Sequence, residues 1–384
     1  MKTNKIGDYK MKEFNSKELY LEALELTKTL AVIPAPSGFE DKRVEFVLDY
    51  VKKIGFDNAY VDSAKNVIWK LNGKTDDYTM FCAHTDVVFP DMDVLPLVED
   101  DIYLWAPGIG DDTVCLVQML IVCKYLKEIG YKPTKSLIFV ANSCEEGLGN
   151  LKGSRQIFND NKNITRMFTF DGQYRHVVNK SVGSHRFKVV VKTIGGHSYN
   201  AFGNRNSIAV MSKIINKIYE IQVPEKEGAK TTYNVGLING GTSINTIAQE
   251  VEMFCEYRSD DLDCFNIMKA NFEKIFADIK NEEPEAEIII ELVGDRPCMG
   301  IVDKDIMAEL SELVKGVQEK YSKGNVALES GSTDCNIPHS LGIPAICVGT
   351  YEGAGVHTRE ENLVKESIKT GLDIAYELII NQSK

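Results

Sequence analysis

The sequence predicts an α/β protein: a mostly parallel, mixed sheet sandwiched by helices, with a smaller ferredoxin-like α+β domain inserted into it. Short apolar runs without polar alternation, NVIWKL (66–71), TMFCA (79–83), SLIFVA (136–141) and MFTF (167–170), read as strands covered on both faces. Segments of helical period are interleaved with them, which is the grammar of a parallel sheet under helices. From 183 to 295 the order becomes β-α-β-β-α-β, a ferredoxin-like split unit complete in itself.

Each element has its own signal. Leu19 to Leu30 has a helical period that PAPSGFE breaks. Ser37 and Glu40 have the spacing of a capping box ahead of an apolar helix face of Val44, Val47, Leu48 and Val51, and that helix closes near Gly55. A further helix runs from Thr113 to about Ile129 and stops at Gly130. In the insert, the strand RFKVVVK is followed by the helix NSIAVMSKIINKIYEI, the strands YNVGLING and EVEMFCEYR, the helix CFNIMKANFEKIFADI and the strand EIIIELV. From Pro297 the first style resumes, with a helix over Ile306 to Tyr321, the strand AICVG (345–349) and a helix over Leu363 to Ile380. The expected division is 1–182 and 296–384 as two parts of one domain, with 183–295 between them.

At 384 residues the chain exceeds what a single core fills, which agrees with two domains. A net charge of -12 without a Lys/Arg cluster argues against nucleic acid and anionic membrane as partners. The start has no apolar leader and no stretch is long and apolar enough to span a bilayer, so a cytoplasmic location is expected. Nine scattered cysteines without a C-x-x-C pair read as reduced thiols, against a disulfide framework or a thiolate zinc site.

Open α/β sheets bind ligands beyond the carboxyl ends of their strands. TMFCA leads to His84-Thr85-Asp86, SLIFVA to Glu145-Glu146, MFTF to Asp171-Gly172 and AICVG, through TYEGAGV, to His357. Asp111 and Asp112 of GIGDD sit on a glycine loop that opens a helix. Singly, each has a plain reading: a satisfied polar histidine, an N-cap at Asp111 or Asp112, a turn at Asp171-Gly172, solvated rim charges at Glu145 and Glu146. Jointly, two histidines and several carboxylates at one sheet edge supply the imidazole and oxygen donors that two zinc-like cations take. Cations would also compensate carboxylates that have no Arg or Lys nearby in sequence. Asp86, two residues beyond His84, is spaced to accept that imidazole's second N–H.

HTDVV (84–88), GIGDD (108–112), CEEGLGN (144–150), FDG (170–172), GGHS (195–198), GGTSIN (240–245), STDCN (332–336) and GVHT (355–358) resemble, in order, the blocks of the M20 metallopeptidases. The resemblance implies a zinc-peptidase catalytic domain, with the insert serving as a lid and as the contact of a homodimer. It implies two divalent metal ions, Zn2+ first, with Co2+ or Mn2+ as other ions such donors hold. Asp111 would bridge them, His84 and Asp171 completing one site and Glu146 and His357 the other. Asp86 would orient His84, and Glu145 would be the general base. His197 would reach the active site of the partner subunit, while Asn245 and Arg258 would contact substrate. Where the family commonly continues from the bridging Asp to a Lys and a Gly, this chain has Thr113-Val114, which changes the first helical turn.

The implied reaction is hydrolysis of an amide bond in short peptides, by a dipeptidase or tripeptide aminopeptidase. CEEGLGN and YNVGLINGGTSIN resemble the peptidase T-like branch. The same water attack would serve an N-acyl-amino-acid amidohydrolase or deacetylase, so that alternative stands beside the first. A catalytically inactive, metal-binding regulatory dimer is the alternative of another class, and it gives no reason for the base position Glu145 to be filled. A dinucleotide-binding dehydrogenase is disfavoured, because the acidic helix start of GIGDD repels pyrophosphate.

Overall fold

The structure, a computed structural model, describes residues 14–384. The start, expected to lack an apolar leader, and the first residues of the expected 1–182 segment lie outside the described residues. Two compact units form: one holds the chain up to Val177 with Asp305–Leu328 and Ala345–Lys384, the other Val178–Lys304 with Glu329–Pro344.

The first unit is built on a mixed sheet. Tyr78–His84 lies between Ser136–Asn142 and Ile164–Phe170, parallel to both, and Ala345–Val348 continues in parallel beside the last of these. Val67–Leu71 and then Tyr60–Val61 add antiparallel on the other side. The strands are continuous apolar runs because both faces are covered. Trp69, Phe81, Phe139, Phe168 and Phe170 are fully buried and follow one another with ring centroids 5.1–6.0 Å apart. Burial of each such ring stabilises the fold by about 1.5–3 kcal/mol. Helices Ser16–Ala31, Cys115–Glu128 and Ser367–Gln382 pack on one another, and Cys115–Glu128 is buried along almost its whole length, as its all-round apolar sequence requires.

Two features of this unit differ from expectation. The crossover from Ser136–Asn142 to Ile164–Phe170 is a helix, Lys152–Asp160, whose only buried large residues are Ile157 and Phe158, too few to show a period. The capping box does not form: the helix begins at Asp41, and Glu40 instead accepts the N–H groups of Gly38 (2.7 Å) and Cys144 (3.1 Å). Ser37 donates to Asp86 (2.6 Å).

The second unit is a four-stranded antiparallel sheet in the order Thr231–Gly240, Glu250–Ser259, Gly183–Lys192, Glu287–Arg296. Helices Ser207–Tyr219 and Leu262–Glu282 cover it over a core that includes Val189, Met211, Ile214, Met253 and Phe272. Residues 329–344, expected with the 296–384 segment, belong to this unit, as do Pro297–Lys304. Side-chain hydrogen bonds hold them: the Asn336 amide donates to the carbonyls of Val182 (2.7 Å) and Pro297 (2.9 Å), and Ser181 Oγ lies 2.7 Å from His339 Nδ1. No described helix is long and apolar enough to cross a membrane, and the nine cysteines are buried without forming a disulfide.

Candidate active site

His84 ends its strand opposite Asn142, the last residue of the neighbouring strand, and Asp171 follows Phe170 on the other side. Parallel register therefore brings the residues after three strands to one edge of the sheet. His84 is buried, and its backbone N–H donates to Asp112 Oδ2 (2.9 Å). Its ring Nε2 lies 3.0 Å from Asp111 Oδ1, and His357 Nε2 lies 3.1 Å from Asp111 Oδ2 and 3.2 Å from Glu146 Oε1.

Among the described residues, three sets of ligand-type atoms converge within 4.8 Å: His84 with Asp111 and Asp171, Asp111 with Glu146 and His357, and His84 with Glu145 and Glu146. Asp111 belongs to two of them. The glutamate doublet lies between two left-handed residues, with a φ of 57° at Cys144 and 49° at Gly147, and both carboxylates come within 4.8 Å of the same histidine.

Asp86 faces His84 with two acceptors. His84 Nδ1 lies 3.0 Å from the backbone carbonyl of Asp86 and 3.5 Å from the Asp86 carboxylate, so the carbonyl is the closer acceptor. The carboxylate accepts the N–H groups of Glu145 (3.0 Å) and Glu146 (2.9 Å) and the Ser37 hydroxyl. Asp86 thus anchors the doublet. The N-cap reading of Asp111 and Asp112 fails. The following helix begins at Cys115 with no side-chain cap, and Asp112 is buried against the His84 N–H.

Buried carboxylates draw positive charge to themselves. Burial alone would lower the His84 pKa, yet its bonds to Asp111 and Asp86 hold it well above the usual imidazole range. Bonds to Asp111 and Glu146 push His357 up to about 10. Burial would raise Asp111, but the two histidines hold it far below the usual carboxylate range. Burial raises Glu146, against the pull of its bond to His357. Imidazole and carboxylate donors in this number, converging around one shared carboxylate, fit divalent cations.

Two buried charges escaped the sequence reading. Glu361 accepts the N–H groups of Gly108 (2.8 Å), Gly110 (2.8 Å) and Asp111 (2.9 Å), fixing the GIGDD loop, and burial pushes its carboxyl up to about 7. Arg43 donates to the carbonyls of Ile33 (2.8 Å) and Thr85 (3.1 Å). Burial lowers its pKa to about 10, against the attraction of Asp86, Glu361 and Asp112.

The remaining candidates lie in the second unit. His197 is exposed on a two-stranded ribbon opposite Thr246, and Ser198 donates to the Asn245 carbonyl (2.9 Å), so His197 and Asn245 are neighbours. Arg258, on Glu250–Ser259, has its fork engaged by Glu256 at 2.8 and 3.0 Å. It lines a cavity of about 520 Å³ with Lys230, Asp260 and Glu329.

The chain is 26% identical over 323 residues to the uncharacterized protein YqjE of Bacillus subtilis, covering 80% of this chain and 82% of that one. It is 23% identical over 372 residues to a succinyl-diaminopimelate desuccinylase of Corynebacterium glutamicum, covering 91% and 94%. Aminopeptidase PepT from Bacillus cereus has the same fold, with a TM-score of 0.74 at 20% identity over 96% of this chain and 99% of that one. Residues 80–381 match the model of Peptidase family M20/M25/M40, and the chain belongs to that family of metal-dependent hydrolases.

Proposed function

We propose that the chain hydrolyses the amide bond of short peptides, as a dipeptidase or tripeptide aminopeptidase, with two divalent cations of which Zn2+ is the first choice. One observation carries this reading: Asp111 is common to the set with His84 and Asp171 and the set with Glu146 and His357, as a carboxylate shared by two cations must be. Bound there, the cations would supply Lewis acidity, bringing the pKa of water to roughly 7 and polarising the amide carbonyl.

The protein's own groups do the rest. Glu145, buried and held through its N–H by Asp86, takes the proton of the attacking water and delivers it to the leaving amine. Asp86 and Glu361 keep the doublet and the GIGDD loop in place. His197 reaches the active site of the partner subunit and helps polarise the scissile carbonyl there, while Asn245 and Arg258 contact substrate, Arg258 at a carboxylate once Glu256 releases its fork. The second unit serves as lid and dimer contact, and the enzyme works in the cytoplasm.

The fold of an aminopeptidase supports the peptide reading. Likeness to a desuccinylase favours a second reading, an N-acyl-amino-acid amidohydrolase. A hydrolysis screen of the metal-loaded enzyme against di- and tripeptides beside N-acetyl and N-succinyl amino acids separates them, and cleavage of the acyl set alone overturns the first. Glu145→Gln should lower kcat by about 10²–10⁴ with both metals retained. Glu146→Gln should lose metal. A Glu145→Gln protein that lost metal while its remaining sites kept their rate would reverse these roles.

A further inference from the structure

Next to the carboxylate cluster, the first unit has an apolar cavity of about 510 Å³, walled by Phe39, Val88, Phe89, Met92 and Leu148. Ser37 and Gly147 complete its rim on one side. Ser37 is one hydrogen bond from the Asp86 carboxylate, and Gly147 follows Glu146 in the chain. The cavity therefore begins where the proposed chemistry is held.

Phe39, Met92 and Leu148 are each more than half exposed. Large apolar side chains gathered at one exposed place mark a binding surface, and a volume of this size is that of a small-ligand pocket. The walls are fixed by the backbone. Val87 donates to the Ala35 carbonyl (2.9 Å) and bridges Pro36, which ties the two wall segments together. A Cβ at Gly108 would come 2.3 Å from Val87 Cγ1, so Val87 is packed hard against the GIGDD loop. Arg359, two residues beyond His357, lies over the Phe89 ring (4.8 Å to its centroid) and pairs with Asp91 at 2.6 Å. The loop that brings His357 to the cluster thus also braces the cavity wall.

We propose that this cavity is the enzyme's specificity pocket: it receives a large apolar side chain, such as Leu, Met or Phe, on a residue flanking the scissile amide. The proposal rests on the amide-hydrolase reading. None of its lining side chains is charged, so an acidic side chain would leave water without a partner there.

The test uses Leu-Gly-Gly, Gly-Leu-Gly and Gly-Gly-Leu against their Ala and Asp counterparts. At one of the three placements kcat/KM for Leu should exceed that for Ala by tenfold or more, within the roughly 10–200-fold that an apolar pocket gives per methylene, with Asp below Ala. Leu148→Lys and Phe39→Ala should each bring the Leu-to-Ala ratio towards one. Calorimetric titration of the same peptides onto metal-loaded Glu145→Gln protein, with and without Leu148→Lys, reads the preference without turnover. Equal constants for Leu and Ala at every placement, or a preference untouched by both wall variants, overturns the pocket. If no peptide is cleaved but the binding preference is present and wall-dependent, the pocket stands and the peptidase reading falls.

Discussion

Asp86 has no route to solvent and three donors aimed at it, the N–H groups of Glu145 and Glu146 and the Ser37 hydroxyl. Burial would raise its pKa, but His84, Ser37 and the Glu146 N–H together hold it below the usual carboxylate range, so it stays an anion able to accept all three. Asn at this position keeps the shape and turns one acceptor into a donor, leaving one N–H of the doublet facing another donor. Asp86→Asn should therefore cost about 10–100-fold in metal affinity or kcat, the scale for groups that orient ligands and catalysts. Metal titration and steady-state kinetics on the same preparation measure both. Unchanged values would mean that the doublet is positioned by its own turn. Glycine matters in the same way at Gly110, where a Cβ would meet the buried Tyr351 ring at 2.4–2.6 Å. Neither can yield, since Tyr351 is in the core and Asp111 is the next residue in the chain. Gly110→Ala should destabilise by about 1–3 kcal/mol in urea unfolding and weaken metal binding by displacing Asp111.

At the level of elements, the helix pair of the second unit carries a charge whose sign can be read by pH. Glu283, just past Leu262–Glu282, is buried and accepts from Arg205 and from Lys213 (2.5 Å) of Ser207–Tyr219. Burial would raise its pKa, but the two cations prevail and lower it from 4.5. A depressed carboxylate adds stability that is present above its unfolded pKa and is lost as pH falls through its folded value. Glu283→Gln should cost about 1–3 kcal/mol at pH 7, and urea curves of variant and parent should converge towards pH 3. A gap independent of pH would assign the residue to packing. Elements of this kind, together with the strands that end at His84, Asn142 and Phe170, were legible because apolar runs and helical periods are local properties of sequence. His84, Glu145, Glu146 and Asp171 were legible for the same reason, standing at or just after the end of such a run, whereas Asp111 and His357 are carried on glycine loops. Arg43 and Glu361 were not: one sits between Lys42 and Val44 on a helix, the other in a polar loop, and only tertiary packing takes them out of water. The capping box misled because Ser37 and Glu40 have better acceptors and donors in Asp86 and Cys144 than in their own helix.

For the molecule as a whole, the placement of the site within one unit has a thermodynamic consequence. His84, Asp86, Asp111, Glu145, Glu146, Asp171 and His357 all belong to the first unit, and each unit has a hydrophobic core of its own. A ligand that binds the folded state alone stabilises it by RT ln(1 + [L]/Kd), about 2.7 kcal/mol at a hundredfold excess over Kd. Cations held only by the first unit stabilise that unit directly, and they remove the need for charged His84 and His357 to neutralise Asp111 and Glu146. Chelation should therefore speed amide exchange in Tyr78–His84 and Ser136–Asn142, strands that lead into the ligands. The pair Gly183–Lys192 and Glu250–Ser259, central in the sheet of the second unit, should keep its protection. Mass-spectrometric hydrogen exchange with and without chelator, at pH 7 and fixed salt, distinguishes this from its alternative. Equal acceleration in both pairs of strands would show that the units open together, and that metal binding is coupled to the whole chain.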